Sequence, residues 1–397
     1  MGIASVVVLA SSAAAYSSAD TAGSERTPVP APSASDTETT TSAPASPTRD
    51  PALLPGMPPP VSPTDVYAAD HELSPAVAGA KALVYVPNSR TNTVTVIDQA
   101  TMAVTGSFPV GPEPQHVVPS YDLKTLYVAS DLIEAGGSLT PIDPTTGKPG
   151  ERISVADPYN LYFTPDGASA IVVAEALKRL DFYDPHTWKL QQSVPVPECA
   201  GVDHMDFTAD GRTLLASCEF ANKLIVMDVA AKKVLRTIAL PRRSDGMPQD
   251  VKLSPDGKTF YVADMMANGV YLLDGQAQGV IGFQSTGKGT HGLYVTRDSK
   301  QLLVTNRDEG SISVLDLATH QPVAKWQIPG GGSPDMGNLS ADGSVFWVSG
   351  RSNNVVYAIS TLDGHLIKKI PVEAGPHGLC VWPQPGRYSL GHTGILR

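Results

Sequence analysis

From about residue 82 the chain alternates short apolar runs of five or six residues with polar turns, and the alternation repeats with a long period. Each copy has three parts. A turn of the Ser/Thr-Pro-Asp-Gly kind is followed by a run such as Leu126-Tyr127-Val128-Ala129-Ser130, then by a second apolar run ending in Asp. The run-ending positions are Asp98, Asp143, Asp184, Asp228, Asp274, Asp316 and, in degenerate form, Ser360, at spacings of 45, 41, 44, 46, 42 and 44. Runs this short, bounded by Gly, Pro and Asp, are strands and not helices. A period of roughly 40–45 residues built only from strands and turns is that of a propeller blade.

Four strands align in each copy. The innermost, A, precedes the turn: Gln115–Pro119, Tyr159–Phe163, Asp203–Phe207, Gln249–Leu253, His291–Val295, Asp335–Leu339 and His377–Trp382. Asp-Gly at 166–167, 210–211, 256–257 and 342–343 supplies the positive φ of a tight hairpin. Strands B, C and D follow outward. The chain enters the repeat at a B strand, Leu83–Asn88, and leaves it at an A strand, which predicts that the last A strand completes the first sheet. The fold class is therefore all-β, a seven-bladed β-propeller closed by pairing of N- and C-terminal strands in one blade. Closure removes the exposed edge of a linear stack, and the expected state is a monomer.

Leu83-Val84-Tyr85-Val86-Pro87-Asn88, Leu302-Leu303-Val304-Thr305-Asn306 and Pro248-Gln249-Asp250-Val251-Lys252-Leu253-Ser254-Pro255-Asp256-Gly257-Lys258 carry a resemblance. The chain resembles, over about residues 82–384, the YVTN-repeat β-propeller family of exported bacterial and archaeal proteins. The resemblance implies the fold and leaves the function open. In architecture alone it extends to the d-type-haem domain of nitrite reductases and the propeller of nitrous oxide reductase.

The flanks change the picture. Residues 1–19 form an apolar stretch ending in small residues, like a signal peptide without its basic n-region, and too short to span a bilayer comfortably. Either the true start lies upstream or the segment is no signal. No cysteine stands near it, so a lipoprotein anchor is not supported. Residues 20–65 are rich in Pro, Ser, Thr and Ala and read as a disordered spacer. A lead-in spans 66–81 and a C-terminal tail 385–397. The expected location is extracytoplasmic, secreted or associated with the cell envelope. A net charge of −10 without a basic block argues against nucleic acid and anionic membranes as partners.

In propellers the D-to-A and B-to-C loops gather at one mouth of the central channel, where ligands usually bind. The first residues of the seven A strands are Gln115-His116, Tyr159-Asn160, Asp203-His204, Gln249-Asp250, His291-Gly292, Asp335-Met336 and His377-Gly378. Four of the nine histidines fall in these fourteen positions. Converging imidazoles suit copper, zinc, iron or nickel, with Asp203, Asp250 and Asp335 as carboxylate partners. The metal candidates are His116, His204, His291 and His377. The opposing reading makes Pro-His-Gly a packing element, which suits His291 and His377 better than His116 and His204. Arg307 and Arg351 occupy equivalent loop positions, either as a bidentate carboxylate clamp or as solvated loop charges. The Met265-Met266 pair offers soft ligands or a packing contact.

Cys199 and Cys218 are a candidate disulfide. Simple hairpin register sets Asp203 opposite Cys218, so a bond needs the loop to fold back at Gly201. Cys380 alternates with core positions and reads as a small buried hydrophobe. No nucleophile elbow, phosphate loop or His-Glu-x-x-His helix is present. Three functions stay open: an exported binding or scaffold protein for a small molecule, metal or protein partner; a copper- or haem-dependent redox or cofactor-handling protein; and, on fold analogy alone, an exported lactonase or lyase.

Overall fold

The computed structural model describes residues 53–69 and 72–397. The signal-like segment and most of the spacer lie outside these residues. Seven antiparallel sheets follow one another along the chain, each ordered A-B-C-D from the axis outward. Blade 1 joins Cys380–Trp382 as strand A to Leu83–Asn88, Thr93–Asp98 and Ala103–Pro109. The A strands of blades 2 to 7 are Pro114–Pro119, Pro158–Phe163, Val202–Phe207, Pro248–Leu253, Thr290–Val295 and Pro334–Leu339. The outer strand of blade 2 is broken into two short pieces, Lys148–Pro149 and Ile153–Ser154.

The burial gradient explains the sequence pattern. A and B strands are buried nearly throughout, while an outer strand such as Lys233–Ala239 alternates between exposed and half-buried positions. Core clusters form between blades: Leu215, Leu224 and Val226 of blade 4 pack on Val251, Phe260 and Tyr271 of blade 5. Two turns repeat with the strands. Asp98, Asp184 and Asp316 each accept hydrogen bonds from the backbone N–H and hydroxyl of a threonine three residues on, which fixes the C-to-D turn. The glycines of the Asp-Gly turns hold φ between +69° and +73°. The periodic Asp residues are thus turn formers.

The closing strand is shorter than predicted. Leu83, Val84 and Tyr85 pair with Trp382, Val381 and Cys380, and regular pairing stops there. Regular pairing is interrupted where Gly378 bonds to blade 2, its N–H donating to Gln115 O (2.9 Å) and its oxygen accepting from Val117 N–H (2.9 Å), and it resumes only as a single bridge of Pro376 with Asn88 and a bond from His377 N–H to Pro87 O (3.1 Å).

Both flanks pack against the face bearing the A-to-B turns. The spacer ends earlier than the sequence suggests: from Leu53 the chain is docked, with Leu54 and Met57 buried and Leu54 N–H donating to Asp210 O (2.8 Å). The C-terminal residues are not a loose tail. Ser389–Gly391 and Ile395–Leu396 form a hairpin that pairs with strand A of blade 3, and Arg397 donates to Asp206 Oδ1 (2.9 Å) and Phe207 O (2.8 Å). Among the described residues no helix is long and apolar enough to cross a membrane.

Cys199 and Cys218 form a disulfide with Cα atoms 4.8 Å apart. The register differs from the simple hairpin. A bulge between Val202 and Met205 sets Val202, not Asp203, opposite Cys218, and Gly201 at φ +65° turns the loop back. Cys380 is free and buried. Replacing Cys199 and Cys218 together by Ser should lower unfolding stability by about 3 kcal/mol, the loop-closure value for a bridge of this span, in urea titrations. An unchanged midpoint would refute a structural role for the bond.

Candidate functional site

The start of strand A is irregular in blade after blade. Its register shifts between Pro114 and His116, Val202 and Met205, Pro248 and Val251, Thr290 and Leu293, and Pro334 and Gly337. Such a bulge breaks the inward-outward alternation and re-aims side chains. Two successive residues per blade therefore serve the axis.

The four predicted histidines meet there, joined by a fifth. His116 is central: its ring centroid lies 5.4 Å from His204, 4.8 Å from His377 and 5.4 Å from His392. His204 and His392 are 4.6 Å apart, and His291 lies 6.3 Å from His377. All five rings are buried. His392, at the apex of the C-terminal hairpin, was missed by the sequence reading. Gly391-His392-Thr393-Gly394 between short apolar runs was a turn signal, but nothing local showed that this turn enters the channel.

Hydrogen bonds distinguish the rings. His377 Nδ1 donates to Gln115 Oε1 (3.0 Å), whose orientation follows from Gln115 Nε2 donating to Asp131 Oδ1 (3.3 Å). The Nε2 lone pair of His377 is then left 3.6 Å from Asp335 Oδ2, itself without a hydrogen-bond partner. His291 is occupied: its Nε2 accepts from Arg307 Nη2, and its Nδ1 lies 3.1 Å from Met336 Sδ. This suits the packing reading for His291. Neither nitrogen of His116 has a partner, and an added Cβ on Gly378 would fall 2.0 Å from His116 Nδ1. The glycine of Pro-His-Gly thus makes room for a neighbouring imidazole. Asn160 Nδ2 lies 3.2 Å from Nδ1 of both His204 and His392; neither Nε2 makes a hydrogen bond, and that of His204 lies 3.2 Å from Asp203 Oδ1.

The arginines are not solvated loop charges. Arg307 donates to Asp335 Oδ1 through Nε (2.9 Å) and Nη2 (2.5 Å), and Arg351 Nη1 lies 3.8 Å from Asp335 Oδ2. Both turn inward onto one buried carboxylate. Asp250 is fixed between blades, accepting from Val251 N–H (2.9 Å) and Leu293 N–H (2.8 Å). Met265 Sδ faces Arg307 Nη1 at 3.7 Å.

Burial pushes all five imidazoles below their ordinary range, His204 to about 3, so the rings are neutral near pH 7. A charged His377–Asp335 pair would need the protonated ring that burial opposes. On the mouth side, burial and then the neighbouring Glu219 raise Glu175 to about 8, and burial raises Asp131 to about 7. Asp203 is pushed well up by burial and by Glu219 and Glu175, and its Oδ1 lies 3.2 Å from His204 Nε2. Each buried polar atom left unmade costs about 1–3 kcal/mol, so their concentration at the axis marks a site kept for something other than stability.

The two kinds of group have opposite pH signatures. The folded imidazoles titrate below 6.5, so the stability they contribute is present above that pH and is lost as the pH falls below it. Glu175, raised from 4.5 to about 8, contributes stability below its unfolded value that is lost as the pH rises through 8. His116→Gln should therefore flatten the fall in thermal midpoint on the acid side of pH 6.5, and Glu175→Gln the fall toward pH 8. Profiles parallel to that of the parent would contradict both assignments.

Residues 52–194 and 240–385 match the YNCE-like beta-propeller family. A 6-phosphogluconolactonase of Erwinia tasmaniensis is 23% identical over 289 residues, covering 66% of this chain and 87% of that protein. The structure of the Pseudomonas aeruginosa periplasmic gluconolactonase PpgL is similar at TM-score 0.63 and 19% identity, over 76% of this chain and 99% of that one. Dihydro-haem d1 dehydrogenase NirN, in complex with DHE, is similar at TM-score 0.57 and 16% identity, over 83% and 79%. At these identities the structural likenesses speak for the fold. The family match spans most of the propeller, and the chain belongs to the YNCE-like β-propeller family.

Proposed function

We propose that this is an exported binding propeller whose axis holds a divalent transition metal, copper or zinc, on imidazole and carboxylate ligands. One observation carries the reading: in a buried setting the Nε2 lone pair of His377 faces, at 3.6 Å, Asp335 Oδ2, which makes no hydrogen bond. Arg307 and Arg351 offset the charge of this carboxylate but donate nothing to Oδ2, burial disfavours an imidazolium beside it, and a cation held by both groups would relieve the repulsion of the two acceptors. The ligand atoms of His291, Asp335 and His377 lie within 4.8 Å of one another; His291 Nε2 is taken by Arg307, so the open donors are His377, Asp335 and the neighbouring His116, both of whose nitrogens are free. Imidazole with carboxylate is a donor set for zinc or copper. Ring centroids 4.8–5.4 Å apart around His116 suit an ion rather than a haem macrocycle. The disulfide supports an oxidising, extracytoplasmic setting.

A second reading, lactone hydrolysis, draws support from the 6-phosphogluconolactonase relative, most of whose length is matched. Gluconolactone offered to the metal-loaded protein addresses it directly.

The purified protein, stripped with chelator and offered Cu2+ or Zn2+, should take up the ion stoichiometrically by elemental analysis, with nitrogen hyperfine structure in the Cu2+ resonance spectrum. His377→Ala and His116→Ala, folded by circular dichroism, should each weaken uptake by about tenfold or more. A folded parent that takes up neither ion overturns the proposal.

A further inference from the structure

The Asp335–His377 group occupies one side of the axis. Across it stand His204, Asp250 and His392, whose ligand atoms also lie within 4.8 Å of one another and are buried. The Nε2 atoms of His204 and His392 make no hydrogen bond; each faces a carboxylate oxygen, Asp203 Oδ1 at 3.2 Å from His204 and Asp250 Oδ1 at 3.8 Å from His392. His116 stands between the two groups.

His392 is delivered with some effort. It sits at φ +54°, flanked by Gly391 at +106° and Gly394 at +130°, in a turn that crosses the channel. His392 N–H donates to Leu161 O (2.8 Å) on blade 3, while Asn338 Nδ2 of blade 7 donates to Thr393 O (3.1 Å). A Cβ on Gly391 would lie 2.4 Å from Leu161 O and from Tyr162 Cα. The ring stacks on Tyr162 at 6.1 Å with planes 10° apart. The same positive φ recurs at ordinary turn residues such as Met102, Lys232 and His320, so what sets this apex apart is its close fit against blade 3 at Gly391. Apolar packing of the hairpin alone gives no reason for a histidine at its apex.

We infer that His204, Asp250 and His392 form a second metal site, distinct from the Asp335–His377 site and completed by the C-terminal hairpin, so that ion and hairpin hold each other in place. The inference rests on the reading of the axis as metal-holding. Ligation through Nε2 moves the proton of each imidazole to Nδ1. Asn160 then turns its amide, offering Oδ1 as acceptor to both rings at once in exchange for its present bond to Leu161 N–H (2.8 Å). By linkage, whatever factor the docked hairpin adds to metal affinity, the metal adds to hairpin docking.

The full chain, stripped and titrated with Zn2+, should bind two ions, and His392→Gln one. In the parent, saturating Zn2+ should slow hydrogen exchange of residues 388–396 by about tenfold or more, matching the affinity lost in the variant. The exchange measurement needs no variant and stands even if His392→Gln fails to fold. One ion in both proteins, or Zn2+ binding that leaves hairpin exchange unchanged, overturns the second site while the first survives. No Zn2+ in the parent overturns both.

Discussion

The ring depends on one short antiparallel pairing, Leu83–Tyr85 against Cys380–Trp382. Six blades are continuous in sequence and would form without it, but their A strands surround a common axis only when the seventh sheet is completed. Propeller cores lie between blades, so an unclosed ring would leave two broad apolar faces in water, at about 25 cal/mol per Å2. Tyr85, Trp382 and Cys380 belong to one side of that junction, and Val84, Val86 and Val381 to the other. Closure also fixes Gly378 against blade 2 and thereby the room His116 occupies.

The axis divides into two regimes. Toward the A-to-B turns most polar groups are paired: Asp206 accepts from Phe207 N–H, Leu253 N–H and Arg397, and Asn338 donates to the hairpin. Toward the loop-bearing mouth, unpartnered imidazole nitrogens and carboxylate oxygens accumulate on His116, His204, Asp203 and Asp335. The same backbone geometry serves both halves. What differs is whether polar groups find partners within the chain, and that contrast locates the candidate chemistry in the mouth-side half.

Much of this was legible in the sequence because propeller repeats write their turns in residues with fixed backbone demands. Asp166-Gly167 and its counterparts gave the strand order, and aligned A strands brought His116, His204, His291 and His377 to one place. Three features escaped. The bulge after Val202 depends on how strand A meets its neighbours, so the register of Cys218 came out one residue off. The inward turn of Arg307 and Arg351 depends on Asp335, which stands on strand A of blade 7 beside Arg351 and across the blade junction from Arg307. His392 lay beyond the last repeat, and a hairpin that inserts into a channel formed by other strands leaves no periodic trace. The first two turn on how strand A bulges and aims its side chains, and the third on a contact distant in sequence; neither is written in the local apolar pattern.

The closing strand and the hairpin both lie within residues 380–397, which follow blades 2 to 7 along the chain. Blades 2 to 7 can assemble without it, yet the axial imidazoles cannot be set until this stretch is in place. Until it is paired, the ring stays open and its central side chains exposed. Completion of the site is therefore a single event: one stretch both shuts the ring and fills its axis.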